Sequence, residues 1–207
     1  MANQAATHMH VKDMNKMISQ IKQNEVYLRY SKLPGKEWYI TVFSDASLKG
    51  LPGKVHSAMG YIIMLSNGYN PGSRSKCCVL QWKAVKVSRV STSTYEAETL
   101  ALLAALEDAI MLKLKLTQIT GFPENLIKIE AFCDCNDTVE AIRSTKQNNK
   151  SVLVQADIAK IKQLVERKQV NTVNWIPTQH QLADCLTKRG AATTAIEQTV
   201  VKGKFFA

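Results

Sequence analysis

The sequence predicts an α/β domain with a mixed sheet. Three observations carry that expectation. Three apolar strand-like segments follow one another with only turns between them, the apolar period then becomes helical, and two further strand segments alternate with helices. The order is βββ-α-β-α-α-β-α, which implies five strands, three antiparallel and then parallel additions, flanked by helices.

Near the N-terminus, "VKDMNKMISQIKQNEV" places Met14, Met17, Ile18 and Ile21 at helical spacing, with Asp13 positioned to cap. It reads as a short amphipathic helix docked on another surface. His8 and His10 precede it in a polar stretch expected to lack structure. "EWYITVFSDAS" is the first strand. "GYIIML" and "CCVLQWKAV" are the next two, and the Asn-Gly and Pro-Gly pairs of "SNGYNPGSRS" mark turns between them. Apolar residues then recur at helical spacing from about Thr94 to Thr117, and Gly121 and Pro123 stop that helix. "LIKIEAFCD" is a strand, "DTVEAIRST" a short helix and "SVLVQADIAKIKQLVERK" a longer amphipathic one. "VNTVNWIP" is the last strand, and "TQHQLADCLTKRG" a last helix closed by Gly190. The expected division is a linker or connection segment at 1–37, a main domain at 38–190 and a tail at 191–207.

The chain has 207 residues, 45% hydrophobic and 21% charged, enough for a real core. A formal charge of +10 fits a polyanionic partner such as nucleic acid, and equally a solvated lysine-rich surface. No apolar run approaches the roughly 18 residues of a membrane span, and no signal-peptide pattern opens the chain, so no membrane partner is expected. The cysteines are Cys77, Cys78, Cys133, Cys135 and Cys185. An odd count with a vicinal pair and a C-x-C suits neither a disulfide framework nor zinc spacing, and points to reduced thiols in a cytoplasmic, intracellular protein.

Four acids stand where this topology could gather them. Asp45 ends the first strand, Asp134 follows the apolar "IEAF", Glu98 lies in the first turns of the long helix and Asp184 lies on the last. If the first and fourth strands are neighbours, Asp45 and Asp134 come close enough to share a cation, which their mutual repulsion would require. Hard oxygen donors without a histidine or cysteine cluster suit magnesium or manganese, and two such ions about 3.5 to 4 Å apart can drive phosphodiester cleavage. Capping is the competing role for both aspartates. Of the two glutamates in "STSTYEAETLAL", Glu98 shares a stripe with Ala101, Leu102, Ala105, Ala109 and Leu112. The stripe of Glu96 contains Glu107, so Glu96 is expected to face solvent.

"FSDAS", "STSTYEAETLAL", "FCDCNDTVEAI" and "WIPTQHQLADCLTK", in that order, resemble the ribonuclease H domain of Ty1/copia-type LTR retrotransposon polyproteins, over roughly residues 38 to 189. "DMNKMISQIKQNEVYLRYSKL" resembles the segment joining reverse transcriptase to that domain, which implies a reverse transcriptase upstream in a polyprotein. The resemblance implies a ribonuclease H-like fold, two Mg²⁺ ions (Mn²⁺ substituting) and hydrolysis of the RNA strand of an RNA/DNA hybrid, leaving a 5′-phosphate and a 3′-hydroxyl. It assigns the catalytic and metal-binding set to Asp45, Glu98, Asp134 and Asp184. In it Asp45 bridges the metals, Glu98 and Asp134 hold the leaving-group metal, and Asp184 holds the other.

Relatives carry a mobile loop histidine well before the last aspartate. Here His180 lies four residues before Asp184, either as an auxiliary or as an ordinary helix-start residue. Ser93 and Thr94, with Ser91 and Thr92, precede the catalytic glutamate where relatives face the hybrid, and they also suit helix capping. Lys86 and Arg89, with Lys83, are candidates for phosphates, and Asn136 is a weaker substrate contact. Trp82 is expected in strand packing. The alternatives are a catalytically silent module binding nucleic acid or a polymerase, and an integrase-like or exonuclease chemistry that "LADCLTK" disfavours.

Overall fold

The computed structural model describes residues 8–23, 27–48, 57–70, 72–87, 89–144, 151–188, 190–191 and 193–206. Its centre is β1 (Trp38–Ser47), with β2 (Ala58–Ser66) antiparallel on one side and β4 (Ile127–Cys133) parallel on the other. β3 (Arg74–Lys86) pairs antiparallel with β2, and β5 (Thr172–Trp175) pairs parallel with β4. The expected mixed α/β fold is present, with six strands in place of five, in the order β5-β4-β1-β2-β3-β6. The sixth, β6 (Lys204–Phe206), pairs antiparallel with the start of β3. It comes from the stretch expected to be a tail, which also forms α6 (Thr194–Lys202). A three-residue strand is too short to show a period-two signal, and Phe205 makes it part of the core at 1% exposure.

Being central, β1 is covered on both faces, so it reads as a nearly continuous apolar run. Its alternate side chains enter two separate layers. Ile40 and Val42 pack with Ile129 and Ala131 of β4 beneath α2 (Thr94–Thr120) and α4 (Val152–Glu166). Phe43 points the other way, stacking on Phe132 at 5.2 Å and meeting Phe205 edge-on. Ala101, Ala105 and Ala109 on α2 are fully buried, and these small side chains let the helix lie close to the sheet. Gly121, at φ 65, closes α2 in the left-handed conformation that favours glycine.

Three expectations at the ends of the chain need correction. α1 (His8–Gln23) starts at His8, so the histidine stretch is helical and Asp13 lies inside the helix without a capping role. Residues 24–26 of the expected helix lie outside the described residues. Met14, Met17 and Ile18 are all exposed, so the surface on which this helix is expected to dock is not among the described residues. The last helix is broken: a 3-10 turn at Thr178–His180 precedes a four-residue α5 (Asp184–Thr187). Gln181 makes the break. It is extended and buried, its amide nitrogen donating to Ser44 O at 2.8 Å and its amide oxygen accepting from Ala183 N at 3.2 Å.

Candidate active site

Strand parity builds the site. Phe43 pairs with Phe132, so Asp45 and Asp134, each two residues further on, stand side by side at the carboxyl ends of parallel neighbours. This is the placement the sequence argument required. Neither aspartate caps. Asp45 is paired with Gly60 inside the sheet and accepts a short hydrogen bond from the Thr187 hydroxyl. α3 (Asn136–Arg143) starts from Cys135 with no side-chain cap, while Asp134 accepts from Thr178 Oγ1 at 2.9 Å. The indole N–H of Trp175 holds the Asp134 carbonyl at 3.0 Å.

Glu98 arrives from the opposite layer. Its Oε1 accepts the Ala46 amide at 3.1 Å, and its Oε2 lies 3.8 Å from Cys133 Sγ. Cys133 has the parity of Ala131 and so faces α2, which explains a thiol beneath this glutamate. Burial, then the charge of Glu98, holds the Cys133 thiol well above the ordinary cysteine range, so it donates to the carboxylate as a neutral group. Asp184 sits at the start of α5, where Lys188 donates a short hydrogen bond to it and lies 3.8 Å from Asp45 Oδ1.

Glu96 corrects the sequence reading. It is 5% exposed, not solvent-facing, and forms a reciprocal cap. Ser93 Oγ accepts the Glu96 amide at 3.2 Å, and Glu96 Oε2 accepts from Thr92 N and Thr92 Oγ1 at 2.9 and 3.0 Å. The second charge on its stripe, Glu107, is exposed three turns on, beyond the part of the helix where Glu96 is covered.

The electrostatics are those of crowded carboxylates in a poorly solvated place. Burial pushes the Asp45 carboxyl up to about 6; Thr187 and Lys188 oppose this, and the charges of Asp134 and Asp184 add to it. Burial, then the charges of Asp45 and Asp134, pushes Glu98 up to about 9 against the Ala46 amide and Lys188. Ligand atoms of Glu98, Asp134 and Cys133 lie within 4.8 Å of one another. The two carboxylates suit a hard divalent cation, which would offset the repulsion that adds to burial in raising Asp45 and Glu98, whereas the neutral Cys133 thiol is a soft donor and does not.

The remaining expected residues divide. Lys86 is exposed and lines, with Thr187 and Lys188, a groove of about 490 Å³ running beside the acids. Thr94 is exposed and Ser93 half-buried at the start of α2, while Asn136 is exposed with its amide on Glu140 at 2.7 Å. Arg89 is turned inward, 3.6 Å from Glu96 and in a short ion pair with Asp157 of α4. Lys83 lies 3.8 Å from Asp108. Trp82, expected in packing, is 56% exposed because it lies where β3 is an outer strand, beyond its pairing with β6. His180 is on the 3-10 turn and so does not share a helical face with Asp184. The sequence argument missed Thr178, Gln181, Thr187 and Lys188. All four lie inside "WIPTQHQLADCLTK", where only Asp184 and His180 were weighed.

No protein-family model matches the chain. Among solved structures it is similar to LC11-RNase H1 in complex with RNA/DNA hybrid, at 22% identity and TM-score 0.49, covering 71% of this chain and 92% of that one. It is also similar to the N-terminal RNase H domain of a Mycobacterium tuberculosis protein, at 19% identity and TM-score 0.47, covering 78% and 97%. A third likeness is to the prototype foamy virus protease-reverse transcriptase, at 16% identity and TM-score 0.43, covering 88% of this chain and 23% of that one. Among the described residues no helix is long and apolar enough to cross a membrane.

Proposed function

We propose that this chain is a divalent-metal-dependent ribonuclease H of LTR-retroelement origin, Ty1/copia type, which hydrolyses the RNA strand of RNA/DNA hybrids. One observation carries the reading: buried Asp45 and Glu98, with Asp134, meet from β1, α2 and the end of β4 at one end of the sheet, and Asp184 of α5 stands beside them. Asp45, Glu98, Asp134 and Asp184 hold Mg²⁺, for which Mn²⁺ can substitute. Bound there, such ions supply Lewis acidity at the scissile phosphodiester.

The chain's own residues hold the carboxylates in place. The Ala46 amide orients Glu98, the Thr187 hydroxyl orients Asp45 and Thr178 orients Asp134. Lys86 stands in the groove where backbone phosphates pass, and Ser93, Thr94 and Asn136 face the hybrid. Arg89 acts indirectly, tying the start of α2 to α4 through Glu96 and Asp157. The upstream partner is a reverse transcriptase domain joined through residues 1–37; the exposed Met14, Met17 and Ile18 of α1 support that reading.

The test is a gel assay of a labelled hybrid with Mg²⁺ or Mn²⁺. Cleavage leaving 5′-phosphates, lost in Asp134→Asn, is expected; no cleavage, or cleavage indifferent to that change, overturns the reading. A catalytically silent binding module is favoured by one feature, the Lys188 ammonium already neutralising Asp45 and Asp184. Calorimetry that finds hybrid binding and no divalent-cation site would select it.

A further inference from the structure

A hard cation at the acids has no use for the Cys133 sulfur, a soft donor. Yet Cys133 Sγ lies with ligand atoms of Glu98 and Asp134 inside a span of 4.8 Å. Its separation from Glu98 Oε2 is 3.8 Å. A sulfur at about 2.3 Å and an oxygen at about 2.1 Å from a tetrahedral zinc ion stand about 3.6 Å apart, so this pair already spans one edge of such a site. Asp134, half-buried at the end of β4, closes the remaining distance by turning its carboxyl. Three protein ligands leave the fourth position to water.

A second observation is independent of the acids. Phe43 pairs with Phe132, so Ser44 stands beside Cys133 on the neighbouring strand. Ser44 has the parity of Val42, so its side chain, like that of Cys133, faces α2. It is fully buried, and its Oγ has no hydrogen-bond partner among the described residues. A buried hydroxyl with nothing to donate to carries a desolvation cost. A metal-bound thiolate would accept that hydrogen bond, as ligating groups do from their outer shell.

We propose that Glu98, Cys133 and Asp134, with Ser44 behind the sulfur, form a site for a thiophilic divalent cation of the zinc class. The Cys133 S–H bond breaks as the metal–sulfur bond forms, and the proton goes to solvent. Glu98 and Asp134 are also the residues assigned to Mg²⁺, so the two kinds of ion exclude each other, and the thiophilic one holds the site inactive. That exclusion rests on the proposed nuclease reading; the thiophilic site itself does not.

The experiment titrates the reduced full chain with Zn²⁺ by calorimetry and with Cd²⁺ in the ultraviolet, where a cadmium–sulfur bond absorbs. One equivalent of Cd²⁺ should raise a charge-transfer band that is lost in Cys133→Ser and kept in Cys135→Ser and Cys185→Ser. Zn²⁺ affinity should fall about a hundredfold in Cys133→Ser and about tenfold in Ser44→Ala, each folded by circular dichroism. Mg²⁺ titrated into the Zn²⁺-loaded chain should bind at least tenfold more weakly than to the metal-free chain. No band in wild type, a band that survives Cys133→Ser, or Zn²⁺ affinity indifferent to both variants overturns the proposal; Mg²⁺ affinity indifferent to Zn²⁺ overturns the exclusion. If Cys133→Ser fails to fold, Cys133→Ala and Ser44→Ala carry the same test. A cadmium–sulfur band at Cys133 in a chain that neither binds Mg²⁺ nor cleaves a hybrid would sink the nuclease reading alone. Mg²⁺-dependent cleavage without the band would sink this proposal alone.

Discussion

Gly60 of β2 faces Leu186 of α5 so closely that a methyl group built on it would lie 2.6 Å from Leu186 Cβ and 3.1 Å from Thr187 Cγ2. Gly60 is also the cross-strand partner of Asp45. The absent side chain therefore lets α5 descend onto the sheet and deliver both the Thr187 hydroxyl and Asp184 to the carboxylates. Gly60→Ala should displace α5, lowering stability by about 1 to 3 kcal/mol. It should weaken divalent-cation affinity at least tenfold, read by calorimetry and thermal melting. A variant with wild-type cation affinity would mean that α5 does not need this approach.

The two glutamates near the start of α2 predict opposite phenotypes. Glu96→Ala should cost about 1 kcal/mol through loss of the side-chain half of the reciprocal cap and its approach to Arg89, with cation binding intact. Glu98→Gln should abolish or greatly weaken cation binding yet raise the melting temperature of the metal-free protein near neutral pH, because glutamine spares the proton uptake that burial and the charges of Asp45 and Asp134 force on Glu98 when the chain folds. Paired melts and titrations separate them. Equal effects on cation affinity would defeat the assignment.

These contrasts show how far the residues alone lead. The strand segments were legible because β1, β2 and β4 are long and buried, and the stripe of Glu98 was legible because alanines recur beneath it at helical spacing. Asp45 beside Asp134 followed from a parallel pairing that the topology implied. Glu96 was misread because periodicity cannot tell a charge facing solvent from one folded back onto its own N-terminus. The break at Gln181 was hidden too, since a long-range hydrogen bond to Ser44 O overrides local helix propensity. β6 was out of reach because its three residues are ordered by pairing with Arg74–Lys76 and not by any pattern of their own.

Lys188 reaches both Asp45 and Asp184, so its ammonium holds the place of a cation among them. A divalent ion must compete with it. Lys188→Gln should therefore tighten Mg²⁺ binding several-fold by calorimetry, while lowering the melting temperature of the metal-free protein, whose carboxylates lose their counter-charge. Weaker Mg²⁺ binding in this variant would show instead that the lysine supports the bound state.

The raised carboxyls make stability depend on pH in a direction opposite to the common acidic case. Asp45 is raised from 3.8 to about 6 and Glu98 from 4.5 to about 9, so between about pH 4 and pH 9 the folded chain binds more protons at these groups than the unfolded chain does. Their contribution is fully present below the unfolded values and is lost as pH rises through the folded ones. The metal-free protein should thus melt at progressively lower temperature from pH 5 to pH 9. Mg²⁺ should reverse the loss chiefly at the alkaline end, where the carboxylates are ionised and able to bind it; saturation at 100 times Kd would contribute about 2.7 kcal/mol. Glu98→Gln should flatten the alkaline part of the profile and remove the Mg²⁺ response. Melting curves at five pH values, with and without Mg²⁺, decide the matter: a profile that rises with pH, or a wild-type Mg²⁺ response as large at pH 5 as at pH 9, is incompatible with these carboxyls being held protonated by burial and by one another.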